Sequence, residues 1–167
     1  IPVIEFINKG KFTGIDLSEE RIRIIKEYII DANLEHKKPT LFSNNKKTMH
    51  DLFKDKKFDM ILIYAVLFHN PPKEVENILR EAKNYITKNG KILIDYVNPV
   101  DDEHFTNILG FKIKRSLKDY KLTDAEMFSI LDKLNFEYKI IHEFKEYHTN
   151  KTERPGLKML ALSNKKE

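Results

Sequence analysis

Apolar positions along the chain alternate between stretches with a helical period of 3.6 and short runs that are apolar throughout. This alternation predicts an α/β fold with a largely parallel sheet. Residues 2–8 read as the end of a helix, with Val3, Ile4 and Ile7 apolar and Gly10 placed to stop it. Residues 11–16 read as a short buried strand ending on Asp16. Ser18 is a good helix N-cap, and Glu19 and Glu20 suit the first turn. Ile22, Ile25 and Ile29 then share one helix face, with Ile24 and Tyr28 beside it. Thr40-Leu41-Phe42 is a further strand, and the lysine-rich stretch up to Lys57 reads as a solvated connection with a local turn. Met60 to Ile63 has the unbroken apolar character of a central parallel strand.

Pro71 and Pro72 open a helix in which Val75, Ile78, Leu79, Ala82 and Tyr85 form an apolar stripe. Asn89-Gly90 is expected to close it, with a strand from Lys91 to Val97. Residues 98–121 have no clear period and are expected to form an inserted, substrate-facing cap. Thr123 and Glu126 make a capping box for a last helix carrying Met127, Ile130, Leu131 and Leu134. Two strands follow, 136–144 and 157–163, around a polar loop.

Composition narrows the function classes. The chain has 167 residues, enough for one domain, of which 41% are hydrophobic and 34% charged; this excludes a disordered tail or a collagen-like fibre. There is no cysteine, which excludes disulfides, thiolate nucleophiles and cysteine-ligated metals. The longest apolar run, Met60 to Phe68, is nine residues, less than half of a membrane span. Thirty Lys+Arg against 26 Asp+Glu leave a net charge of +4, spread along the chain and mostly lysine. That pattern favours a soluble protein over a nucleic-acid binder, which usually gathers its positive charge on one face. No charged start followed by an apolar stretch marks secretion, so a cytoplasmic location is expected. His142 and His148 lack metal-motif spacing, and no metal is expected.

The ordered set of segments resembles the class I S-adenosylmethionine-dependent methyltransferases. Gly14-Ile15-Asp16-Leu17-Ser18 is similar to that family's second motif, a strand ending in an acid followed by a helix cap. Phe58-Asp59-Met60-Ile61 resembles the opening of its fourth strand, and Leu67-Phe68-His69 the "L-x-H" just beyond. Residues 87–94 resemble its turn into the fifth strand, and Leu122-Thr123 through Asn135-Phe136 its passage into the last two. The resemblance implies a Rossmann-like, mostly parallel twisted sheet with helices on both faces and an antiparallel last strand. It also implies a first strand and a glycine-rich loop upstream of the first helix. None of the five glycines forms a G-x-G-x-G, and Ile1-Pro2-Val3 is similar to the stretch that follows the loop in relatives. The expectation is a single methyltransferase domain over residues 1–167 that begins just after that loop.

The resemblance implies S-adenosylmethionine as cofactor and S-adenosylhomocysteine as product. Asp16 would accept both ribose hydroxyls, since its two oxygens match a vicinal diol, and Leu17 would lie against the adenine. Two registers compete for the adenine edge: one puts Asn44 or Asn45 there, and the other uses Thr48-Met49-His50-Asp51, with the Met49 backbone N–H serving a ring nitrogen. Tyr64 would touch the methionine portion, and His69 could take a proton from the acceptor. Asn70-Pro71-Pro72 is better explained as a helix start than as the amino-methylating "N-P-P-[YF]" motif, because Lys73 stands where an aromatic should and Asn70 is eleven residues past Asp59. The expected activity is methyl transfer to an oxygen or nitrogen of a small molecule. An RNA-directed methyltransferase, a non-catalytic binding module and a nicotinamide-dependent reductase are the alternatives. The reductase lacks a Y-x-x-x-K pair, since Tyr85 is followed by Lys88. A sheet edge beside the missing strand would be prone to self-pairing, which would give a homodimer.

Overall fold

The computed structural model describes residues 2–43, 48–97, 122–144 and 157–165. The chain divides into two compact units, residues 1–55 and 56–167.

The first unit runs α1 (Pro2–Phe6), β1 (Thr13–Asp16), α2 (Glu19–Asp31), a 3-10 turn (Glu35–Lys37), β2 (Thr40–Ser43) and α3 (Met49–Phe53). β1 and β2 pair in parallel, with Thr13 opposite Thr40 and Asp16 opposite Ser43, so their carboxyl ends are flush. The expected capping of α2 is present: the Ser18 hydroxyl accepts the Arg21 N–H at 3.2 Å. At its far end Asn33 takes a left-handed φ of 55°, and the N–H groups of Asn33 and Leu34 bond Ile30 and Ile29 carbonyls. This is a Schellman closure, and it brings Leu34 back onto Ile29, which with Ile4 make a small core flanked by Phe12, Ile25 and Leu41. The stretch before Lys57, expected to be only a turn, contains α3. Thr48 and Asp51 close a capping box there, a local signal strong enough to nucleate a short helix.

The second unit holds β3 (Phe58–Ile63), a 3-10 turn (Leu67–His69), α4 (Pro72–Tyr85), β4 (Ile86–Val97), α5 (Asp124–Lys133), β5 (Phe136–Phe144) and β6 (Leu157–Asn164). Strand order is β3-β4-β6-β5, with β3 parallel to β4 and β6 antiparallel to both its neighbours. Val75, Leu79 and Ala82 of α4 and Met127, Ile130 and Leu131 of α5 join Ile92, Ile94, Leu160, Leu162 and Phe136 in one core. Each fully buried aliphatic side chain there contributes about 1.5–3 kcal/mol.

One boundary differs from expectation. α4 closes at Tyr85, not at Asn89-Gly90, and Ile86 already pairs with Phe58 as the start of β4. Ile86 and Thr87 are β-branched and prefer extended backbone. Between the pairs Phe58–Ile86 and Met60–Lys91 the ladder is irregular, and Asn89-Gly90 falls in this bulge. A Cβ on Gly90 would lie 2.6 Å from Ile86 Cγ1, so the bulge needs glycine. β3 is also less enclosed than a central strand: Ile63 is buried, while Met60 and Leu62 on the other face are exposed. The expected insertion, 98–121, lies outside the described residues. Among the described residues no helix is long and apolar enough to cross a membrane, and no cluster of side chains suits a metal ion.

Candidate functional site

Open α/β sheets bind ligands beyond the carboxyl ends of their strands. In the first unit Asp16 ends β1, and its geometry is set by neighbours in sequence. Oδ1 accepts the Ser18 N–H at 2.8 Å, and Arg21 stands 3.7 Å from Oδ2, an ion pair too long for a good hydrogen bond. A carboxylate has about four acceptor positions, so both oxygens keep capacity for ligand hydroxyls. Leu17, the next residue, is 75% exposed, a large apolar side chain presented to solvent. Met49 is the first residue of α3, where a backbone N–H has no intrahelical acceptor. Asn44 and Asn45 lie outside the described residues.

In the second unit Tyr64 follows β3 directly and is 60% exposed. Ala65 comes next with φ 57°, the left-handed region that costs a residue with a Cβ about 1–2 kcal/mol. Its N–H donates to Asp95 Oδ1 at 2.8 Å. His69 closes the 3-10 turn, exposed, with its ring beside that of Phe68 at a centroid distance of 4.1 Å. Asn70 is used locally: Nδ2 donates to the Val66 carbonyl at 2.8 Å, and Pro71 caps α4. The prolines are thus a helix start.

Asp95 is a residue that the sequence reading did not single out. It is 2% exposed near the carboxyl end of β4, and burial pushes its carboxyl above the usual range against the bonds from Ala65 N–H and its own backbone N–H. The available signal was an acid inside the apolar run from Ile92 to Val97.

A second polar group lies at the same end of β4. The Lys158 ammonium meets Asp124 at 2.5 Å and Glu143 at 3.1 Å, and the Tyr96 hydroxyl donates to Asp124 at 2.8 Å. Hydrogen bonding to Asp124 raises Lys158 against its burial. Burial pushes the Asp124 carboxyl up, but the bonds from Lys158 and Tyr96 outweigh it and leave it below the usual range. Burial and the Asp124 contact push the Tyr96 phenol well up, so it stays a neutral donor. With these partners engaged the group ties α5 to β4 and β6.

A shallow concavity of about 730 Å³ sits at the opposite, amino-terminal end of β4, lined in part by Lys57, Lys83 and Lys88. Lys57 donates to the Asn84 carbonyl, and Lys83 to those of Leu134 and Asn135 at 2.6 and 3.2 Å. Two of its three lysines therefore tie main chain, at the end of the sheet where ligands rarely bind.

A methyltransferase domain matches the sequence over residues 3–155. No curated protein matches it significantly. Among solved structures the chain is similar to magnesium protoporphyrin IX methyltransferase (ChlM) from Synechocystis PCC 6803, crystallised with SAH, at 14% identity and a TM-score of 0.73 over 99% of this chain and 68% of that one. It is similar to an O-methyltransferase (NcsB1) from neocarzinostatin biosynthesis, in complex with S-adenosylmethionine and 2-hydroxy-5-methyl naphthoic acid, at 11% identity and TM-score 0.62 over 92% of this chain and 41% of that one. A SAM-dependent methyltransferase from Methanosarcina mazei gives 20% identity and TM-score 0.66 over 92% and 82%. The chain thus spans about two thirds of ChlM and less than half of NcsB1. Identities this low speak to the fold, which is the Rossmann-like α/β architecture with an antiparallel last strand. The match over residues 3–155 speaks to the family: the chain belongs to the methyltransferase domain family.

Proposed function

We propose that the protein transfers a methyl group from S-adenosylmethionine to an oxygen or nitrogen of a small molecule in the cytoplasm. The observation that carries this reading is Asp16, held at the carboxyl end of β1 by the Ser18 N–H with acceptor capacity left on both oxygens. That arrangement fits a ribose diol. ChlM was crystallised with SAH, and NcsB1 with S-adenosylmethionine and a naphthoic acid, which supports the cofactor and a small-molecule acceptor.

When bound, S-adenosylmethionine supplies a methyl group activated by its sulfonium. Transfer then requires in-line alignment and exclusion of water more than an added base. In the first unit Asp16 binds the ribose, Leu17 covers the adenine face, and the Met49 N–H or Asn45 meets the adenine edge. In the second unit Tyr64 orients the methionine portion, and His69 takes the proton that an acceptor hydroxyl or amine must lose. The whole chain acts as one domain, with residues 98–121 shaping the acceptor side.

Calorimetric titration with S-adenosylmethionine and S-adenosylhomocysteine tests the reading. Micromolar binding is expected, weakened about tenfold or more, some 1.4 kcal/mol, by Asp16→Ala. Absence of binding by a folded protein, with nicotinamide nucleotides titrated alongside, would overturn it in favour of a binding module or a reductase.

A further inference from the structure

We propose that Asp95 is a positioning residue of the methyl-transfer site: its carboxyl, by accepting the Ala65 N–H, fixes the left-handed turn that sets where Tyr64 and the Leu67–His69 turn project. The inference rests on the methyltransferase reading of that turn.

β3 ends at Ile63, and within three residues the chain must leave the sheet and enter the 3-10 turn at Leu67. The residue that makes this bend is Ala65, at φ 57°. Glycine adopts that conformation freely, and asparagine can support it with its own side chain; alanine does neither. A non-glycine residue persists there when its surroundings hold it, and such positions gather at functional sites.

The holding contact is non-local. Ile63 pairs with Ile94, so Asp95 is the next residue along β4, and its carboxyl reaches Ala65 N at 2.8 Å. Downstream, Asn70 Nδ2 holds the Val66 carbonyl at 2.8 Å, and Leu67 is wholly buried in the core. The turn is therefore tied through the backbone at Ala65 and Val66 and anchored in the core by the Leu67 side chain. The Tyr64 and Val66 side chains, by contrast, are 60% and 39% exposed. A rigid backbone presenting exposed side chains is what a ligand-orienting loop requires.

Core packing does not explain Asp95. It is 2% exposed on a strand whose neighbours are Ile92, Leu93, Ile94, Tyr96 and Val97. Burying a carboxyl there is less favourable than burying an apolar side chain, unless the hydrogen bond it makes is needed.

The test compares the intact wild type with Asp95→Asn, Asp95→Leu and the double variant Asp95→Leu/Ala65→Gly. It reads S-adenosylhomocysteine affinity, melting temperature and hydrogen-exchange protection of the Ala65 amide. Asp95→Asn keeps an acceptor and is expected to bind within about threefold of wild type. Asp95→Leu is expected to keep its melting temperature, to lose Ala65 protection, and to bind about tenfold more weakly. In the double variant glycine relieves the strain of the turn, and about threefold of the affinity is expected to return. Equal weakening by Asn and Leu would overturn the inference, as would Leu binding like wild type or a double variant with no recovery. A wild type that binds no S-adenosylhomocysteine overturns the methyltransferase reading and this inference with it. A wild type that binds, unaffected by Asp95→Leu, overturns this inference alone.

Discussion

Asp16 and Tyr64 both stand at the carboxyl end of a parallel strand, yet the chain secures them by different means. The partners of Asp16 lie two and five residues away, at Ser18 and Arg21. The turn that carries Tyr64 depends on Asp95, thirty residues on. The difference follows the architecture of the two units. A two-stranded sheet with the small core of Ile4, Ile29 and Leu34 offers few distant anchors, so Asp16 is held by its own cap. The four-stranded sheet of the second unit has strand ends side by side, and a side chain on one can fix the turn leaving the next.

The contrast in packing gives the largest expected effect. Leu79 is wholly buried in the larger core, so Leu79→Ala should destabilise the protein by about 2–5 kcal/mol through lost burial and a cavity that cannot close. Ile29→Ala should cost less, about 2 kcal/mol, because the half-buried Phe12, Ile25 and Leu41 can move into the space. Urea unfolding of both variants measures this, and equal losses would break the distinction between a rigid and a yielding core.

The same contrast explains what could be read in the sequence. Asp16 is read as the end of a short strand, and the Ser18 cap, the Thr123–Glu126 capping box and the stripe of α4 rest on spacings of three or four residues; all are found in the fold. Tyr64 and His69 could be placed after β3 because an apolar run followed by Pro71 and Pro72 marks both ends of the connection. Asp95 could not be assigned a role, because its partner is a backbone N–H brought close only by the β3–β4 pairing. The same holds for Lys158, which reads as a strand-surface lysine until β4, β5 and β6 are assembled. The end of α4 departs from its local signal for a related reason. Asn89-Gly90 is a stop signal by local chemistry, but the pairing of Ile86 with Phe58 claims the preceding residues for the strand.

The Lys158 group gives an intermediate effect with a pH signature. Lys158→Met leaves Asp124 and the Tyr96 hydroxyl to share one bond, and should cost about 1–2 kcal/mol at neutral pH, since Asp124 is partly exposed and water compensates in part. Asp124 is held below its ordinary value, so its contribution is present above the unfolded carboxylate value of about 4 and is lost as pH falls through the lower native value. Lys158 is held above its ordinary value, so its contribution is present below about pH 10.4 and is lost as pH rises past the native value. Wild type should therefore lose stability at both extremes, and Lys158→Met should show a shallower loss at each. Asp95 acts with the opposite sign, because burial raises its carboxyl: its ionisation weakens the fold as pH rises, and Asp95→Asn should remove that slope. Thermal melts from acid to alkaline pH separate the two.

The smallest effect sharpens the account of Asp16. Arg21 is 74% exposed, and its guanidinium stands 3.7 Å from the carboxylate. An exposed pair of this kind contributes about 0–1 kcal/mol, so Arg21→Ala should change S-adenosylmethionine affinity by less than about fivefold. The orientation of Asp16 survives that change, because the Ser18 N–H at 2.8 Å belongs to the main chain. Raising salt screens an exposed ion pair and leaves a backbone hydrogen bond almost untouched, so wild-type affinity should respond weakly to ionic strength. A larger loss in Arg21→Ala that high salt reproduces in wild type would mean that the ion pair, and not the cap, holds the acid. The two units would then differ less than their geometry indicates.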